Sequence, residues 1–298
     1  MNTEKAKNMI NETELLTDTE SVRTKRLLYP KQLVVLSLGA GVQSTTMALM
    51  AEHGEIDKPD YAIFADTGWE PKRVYMHLAW LVKQLSYPVH IVSGGNIRKD
   101  IINGTNSTGQ RFASVPFFVR NKDGTAGIAR RQCTKEYKLT PIRKEVSALV
   151  GIHGLKKRPN TVRMMIGISL DEAVRMKPSD VKYIKHEWPL IDKLMNRSAC
   201  KKWMRDNGYP EPPRSACIGC PYHSDHEWRD MKINDPESFK DAIEVDEALR
   251  INGEFGRFDG ELYLHRSMVP IKDADLRNAE DHGQTNLFGN ECEGICGV

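Results

Sequence analysis

The chain has 298 residues, 40% of them hydrophobic, and its 43 basic and 40 acidic residues leave a formal charge of only +3. That balance gives no argument for a nucleic-acid coat, and the composition is that of an ordinary globular chain able to bury one large core or two modest ones. Nowhere do about 18 apolar residues run together as a membrane span requires, and the N-terminal MNTEKAKNMINETELL has no apolar signal core, so the expectation is a cytoplasmic protein with no membrane partner.

Residues 1–28 are polar and charged without a sustained period, and read as a mobile N-terminal extension. Leu33 to Leu36 is a β-rich apolar run, Val42 to His53 reads as a helix, Tyr61 to Ala65 as a second strand, and Pro71 to Leu85 as a helix opened by its proline. Further strands are expected at Val89 to Val92, Val162 to Ile168 and near Tyr183. The alternation predicts an α/β fold with a doubly wound, mostly parallel, Rossmann-like sheet. Residues 29–195 are assigned to this nucleotide-binding domain and residues 196–298 to a cysteine-rich C-terminal region. Asn103 to Arg131 is rich in Gly, Ser, Thr and Asn yet carries Phe112, Phe117 and Phe118, and reads as a long irregular lid-like loop. The Lys156-Lys157-Arg158 cluster reads as solvated surface.

Between the first strand and its helix stand Gly39, Ala40 and Gly41, followed by Gln43, Ser44, Thr45 and Thr46. Small residues let the backbone approach an anion, the helix N-terminus presents N–H groups, and the hydroxyls add donors. A small-residue turn with no ligand has the same appearance. The turn lacks the Gly-Lys-Ser/Thr ending of a P-loop, and its glycines are not spaced as G-x-G-x-x-G. At the C-terminal end of the second strand, where ligands of wound sheets bind, stands Asp66-Thr67-Gly68 within ADTGWE. Asp66 is either an oxygen ligand for nucleotide or Mg²⁺, or a turn aspartate.

Six cysteines in such a chain point to metal, cluster or redox chemistry rather than to a disulfide framework. Cys217-Ile-Gly-Cys220-Pro is a C-x-x-C on a tight turn, an arrangement that serves zinc and iron–sulfur sites alike. His223 and His226 follow too closely to match the usual gap between zinc ligand pairs. The tail, ECEGICGV, carries Cys292 and Cys296. A reachable, activated thiol there could attack sulfur or accept a persulfide, and two structural or metal-binding cysteines would look the same.

GAGVQS followed by strand-ADTG resembles the PP-loop of the adenine nucleotide α-hydrolase superfamily, and within it the phosphoadenosine phosphosulfate (PAPS) reductase-like family. CTKEYKLTPIR at Cys133 to Arg143, GISLDEAVR at Gly167 to Arg175, EWPL at Glu187 to Leu190 and SACIGCPY at Ser215 to Tyr222 extend the resemblance over residues 33–222. It implies an ATP- or PAPS-binding enzyme in which Gly39, Ala40, Gly41, Gln43, Ser44 and Thr45 cradle the phosphates or sulfate, with Asp66, Thr67 and Gly68 beside them and Mg²⁺ as counterion. In many such loops the place of Gln43 holds aspartate. The resemblance sets Lys138, Arg143 and Arg175 near the nucleotide, with Lys138 and Asp66 in the catalytic set, although the reductase Gly-Leu-Arg element reads Gly167-Ile168-Ser169 here. It further implies a [4Fe–4S] cluster on Cys133, Cys217 and Cys220, with Cys200 as fourth ligand, and a nucleophilic or relaying Cys292. The function implied first is ATP-dependent adenylation of an acceptor followed by sulfur insertion, with a sulfur donor as partner and a nucleic acid among the acceptors. The alternatives are a PAPS or adenylyl-sulfate reductase served by a thioredoxin-like reductant, and a non-catalytic nucleotide- or cluster-binding accessory protein.

Overall fold

The computed structural model describes residues 32–105, 115–151, 162–251 and 260–277. The N-terminal extension, Phe112, the Lys156-Lys157-Arg158 cluster, Cys292 and Cys296 lie outside the described residues. The chain divides into two compact units, one of residues 1–65, 72–92 and 140–215, the other of residues 66–71, 93–139 and 216–298.

The first unit is built on a sheet of five strands, β1 (Leu33–Leu38), β2 (Tyr61–Asp66), β3 (Val89–Ser93), β6 (Val162–Ile166) and β7 (Ile184–Glu187), in the order β3-β2-β1-β6-β7. The pairings of β1 with β2, β1 with β6 and β6 with β7 are parallel, with Ser37 opposite both Ile63 and Ile166. Its helices are α1 (Val42–Glu52), α2 (Lys72–Val82), α4 (Thr140–Leu149), the short α5 (Pro189–Asp192) and α6 (Arg197–Asp206), with a 3₁₀ turn over Leu170–Arg175.

Alternate strand residues feed two different cores. Val34, Leu36 and Leu38 of β1 join Ala62 and Phe64 of β2, Met47 of α1, Leu78 of α2 and Met204 of α6. Leu33, Val35, Tyr61 and Ile63 join Ile142 and Val146 of α4. A strand apolar on both sides needs cover on both sides, so the sheet is wound with helices over each face. Helix α1 is buried from Val42 to Ala51, so it is covered on every side, with a polar first turn of Gln43, Ser44, Thr45 and Thr46 and an apolar second half. The chain runs from β1 outward through β2 to β3, then resumes on the other side of β1 at β6. The crevice at which such a wound sheet takes ligands is therefore flanked by the loops after β1 and β6.

The second unit holds α3 (Ile97–Asn103), α7 (Asp225–Asn234), α8 (Pro236–Ile251) and an antiparallel sheet of β4 (Phe118–Asn121), β5 (Ala126–Ile128) and β8 (Gly260–Tyr263), in the order β5-β4-β8. Its core gathers Trp69, Phe117, Val119, Tyr137, Trp228 and Leu262. The segment read as an irregular loop thus carries a hairpin. Phe117 and Val119 alternate inward, and Gly124, at φ 84°, closes the turn in the left-handed region open to glycine. Helix starts are set locally: Asn96 accepts from the Lys99 N–H at 2.9 Å, and Ser224 with Glu227 forms a reciprocal capping box on α7. Among the described residues no helix is long and apolar enough to cross a membrane.

Candidate functional site

In the first unit, three residues carry the chain from β1 into α1. Ala40 is left-handed at φ 55° and buried, and Gly41 is the extended N-cap of α1, making no side-chain cap bond. The Gly39 N–H donates to Ser44 Oγ at 3.1 Å, so the serine hydroxyl folds the loop back onto its helix. Two neighbours press on the loop. A Cβ on Gly167, in the loop after β6, would stand 3.0 Å from the Ser44 nitrogen and 3.2 Å from its Cα. A Cβ on Gly41 would meet Ser215 Cβ at 3.4 Å. Gly167 is glycine because helix backbone occupies the space a side chain would need.

The side chains around the loop are bonded to one another. Gln43 Nε2 donates to Ser169 Oγ at 3.2 Å, and Arg197 Nη1 donates to Gln43 Oε1 at 3.3 Å. Thr45 is fully buried, and its hydroxyl meets His77 Nε2 of α2 at 3.1 Å. Burial lowers the His77 pKa to about 4, so the imidazole is neutral near pH 7. Arg143 is paired with Asp180, and Arg175 with Glu172 at 2.7 Å. Burial raises the pKa of Glu172, with Arg175 and Arg197 acting against the rise.

In the second unit, Thr67, Lys138, Cys133, Cys217 and Cys220 line one pocket with apolar neighbours that include Trp69. Three stretches far apart in sequence meet there. The C-x-x-C turn is fastened by the Ile218 N–H, which donates to the Trp69 carbonyl at 2.9 Å, and by Gly219, where any Cβ would overlap the Trp69 indole. Cys217 Sγ stands 3.2 Å from Thr67 Oγ1 and donates to Glu70 Oε1 at 3.7 Å. Glu70 is 2% exposed, accepts from Thr67 Oγ1 at 3.2 Å and stands 3.7 Å from Lys138 Nζ. Burial, then the adjacent Glu70 carboxylate, pushes the Cys217 thiol well above its ordinary pKa, while Lys138 and Thr67 favour the thiolate.

The structure brings Cys133, Cys217 and Cys220 to one pocket of the second unit, and Cys200 lies on α6 in the core of the first unit, with no exposed surface. Burial pushes the Cys200 thiol up to about 12, against a stabilising contact from Thr46. Asp66 ends β2 and accepts the Gly68 N–H at 2.8 Å, with Gly68 left-handed at φ 76°, the geometry of an aspartate turn. His223 Nε2 lies 2.9 Å from the Cys217 carbonyl, and its ring meets Trp228 edge-on. Among the described residues no three His, Cys, Asp or Glu side chains form a ready group for a single metal ion.

No protein-family model matches the chain, and no curated protein matches it. Among solved structures the chain is similar to the phosphate complex of phosphoadenylyl-sulfate (PAPS) reductase from Candida auris, with 14% identity and a TM-score of 0.41 over 71% of this chain and 90% of that one. A likeness so distant says nothing about the site.

Sequence reasoning passed over Trp69, Glu70, His77 and Arg197. Trp69 and Glu70 sit inside the quoted ADTGWE, and a glutamate directly after a tryptophan in a turn was the available hint. Nothing local distinguishes Arg197 from the chain's other arginines.

Proposed function

We propose that the chain is a PAPS reductase-like enzyme of the PP-loop kind that binds an adenine nucleotide at the loop after β1 and carries out sulfur chemistry. The observation that carries this reading is the loop itself: at the switch point of a parallel sheet, Gly39-Ala40-Gly41 leads into a helix without a side-chain cap, and Gly167 packs on its first turn. A helix N-terminus reached through residues without bulk is suited to a polyphosphate, with Mg²⁺ offsetting part of its charge.

The reaction favoured is ATP-dependent sulfur insertion. An acceptor oxygen attacks the α-phosphorus of ATP, the bond to the β-phosphate oxygen breaks and pyrophosphate leaves. A sulfur nucleophile from a donor then displaces AMP, taking the place of the acceptor oxygen, which departs on the AMP phosphate. The loop's part is positioning and charge stabilisation, which need no protein nucleophile. The pocket of Cys133, Cys217 and Cys220 suits an iron–sulfur cluster better than a single zinc ion. Three thiols line one largely apolar pocket and would hold the cluster, and His223 is already bonded to the Cys217 carbonyl. When bound, such a cluster supplies a centre that binds or relays sulfur. Thr67 would donate to the ligating Cys217 sulfur, and Lys138 would offset the Glu70 charge beside it.

The test is anaerobic protein offered ATP with candidate acceptors and, separately, PAPS with thioredoxin, with pyrophosphate, sulfite and bound iron measured in parallel. Expected are about four irons and pyrophosphate release from ATP. Sulfite from PAPS, lost in Cys292→Ser, would replace this reading with the reductase. A colourless protein holding one tight zinc would remove the cluster, and absence of nucleotide binding would remove the enzyme.

A further inference from the structure

The loop after β1 contains no cation: from Gly39 to Thr46 it reads GAGVQSTT. Polyphosphates are seldom held by backbone dipoles alone, and a guanidinium is suited to them because its fork of donors is always charged. The arginines that the sequence suggested are already committed in the structure, Arg143 to Asp180 and Arg175 to Glu172. Arg197 reaches the loop instead, bonded to Gln43.

That contact has a fixed direction. A guanidinium can only donate, so the Gln43 amide must turn its oxygen to Arg197 and its nitrogen to Ser169, as observed. The Arg197 backbone is held as well, since its N–H donates to Asp171 Oδ1 at 3.0 Å at the start of α6, which Asn196 caps. Both polar ends of Gln43 are thus engaged within the protein, and Gln43 is 8% exposed. A neutral amide orients a guanidinium without neutralising it, whereas a carboxylate at the same place would take up its charge.

We infer that Arg197 is the cation that gives the nucleotide loop its preference for polyphosphate, and that Gln43 is its positioning residue rather than a phosphate ligand. The inference rests on the nucleotide reading of the loop and adds to it the residue that reads phosphate charge. Glutamine at position 43 keeps the Arg197 charge available to the ligand. Glu172 interacts with the same guanidinium charge and limits its field, while Asp171 holds the Arg197 backbone, so the effect is local to groups the guanidinium can touch.

The test is the ratio of ATP to AMP affinity, measured by calorimetry on the full chain, with AMP binding and urea unfolding as checks that the fold persists. Arg197→Met is expected to lower ATP affinity by about tenfold to a hundredfold while AMP affinity changes by less than about threefold. Arg197→Lys should recover part of the ratio. Gln43→Glu, nearly isosteric, should lower the ratio by pairing with Arg197, and Gln43→Leu should lower it less. A structural role would lower both affinities together. An unchanged ratio in Arg197→Met, or a ratio that falls in Arg214→Met instead, overturns the assignment, Arg214 being the neighbour of Ser215, which packs on Gly41. Wild-type protein that binds neither ATP nor AMP overturns the nucleotide reading and this inference with it.

Discussion

The loop after β1 and the thiol pocket solve opposite problems. The loop is continuous in sequence, built from residues without bulk, and its shape is set by backbone: a left-handed Ala40, an uncapped Gly41, and Gly167 pressing where no side chain fits. The pocket draws on residues 66–71, 93–139 and 216–222, and its shape is set by side chains: Trp69 under Gly219, and Glu70 and Thr67 against Cys217. A site made of backbone should be sensitive to any added atom and tolerant of polar swaps. A site made of distant side chains should depend on each anchor.

The largest expected effect is at the anchor. Gly219→Ala sets a methyl into the Trp69 indole, which is 3% exposed and cannot swing away. Overpacking there should cost about 1–3 kcal/mol and displace Cys217 and Cys220, so iron bound by the reconstituted protein should fall to background. Iron retained at the wild-type level would show that the turn tolerates the shift and that the contrast with the loop is overstated.

Acid should weaken the first unit through His77. Its folded pKa of about 4 lies below the ordinary 6.5, so the unfolded chain takes up the proton first, and stability falls as pH drops between those values. The full loss is about 3 kcal/mol. Urea unfolding at pH 7, 5.5 and 4.5 should show a shallower dependence in His77→Phe than in the wild type. Parallel curves would mean that His77 is not kept buried in solution.

A smaller effect tests the loop. Gly167→Ala should force the first turn of α1 to move by a few tenths of an ångström and lower ATP affinity about tenfold, with iron content unchanged. If iron falls as well, the two sites are not separable by substitution. The smallest effect is expected at Cys200, where Cys200→Ala leaves a small void worth about 1 kcal/mol and should leave iron content unaltered. Iron lost in Cys200→Ala would return that thiol to the cluster's ligands.

The contrast also explains what could be read in advance. The strand-turn-helix at Leu33 to Glu52 and the alternating order of the sheet were legible because period, glycine spacing and helix starts are local signals, and the parallel sheet lies where they put it. The hairpin within residues 103–131 was not, because its turn residues resemble any polar loop and only the inward Phe117 and Val119 distinguish it. Cysteine counting names thiols without saying which are solvated, so Cys200, sealed among Leu and Met, looks in sequence like Cys133. Glu70 gains its meaning only when residue 217 is folded against it, and Arg197 only when α6 sets it by Gln43.

The way the chain is shared between the units has a consequence for making and handling the protein. Each unit is assembled from separate stretches, and residues 66–71 of the second unit run from the last residue of β2 to the start of α2 of the first. No single cut separates one unit from the other: a chain shortened to residue 215 keeps all of the first unit but also carries residues 66–71 and 93–139 of the second without the rest of it. During synthesis the first unit must wait for residues up to 215, leaving β1 without its later neighbour β6. Such long-range closure makes folding slow and leaves apolar strand edges exposed until late. Yield in a heterologous host should therefore respond more to slowed translation and chaperone supply than to changes in the surface of the finished molecule.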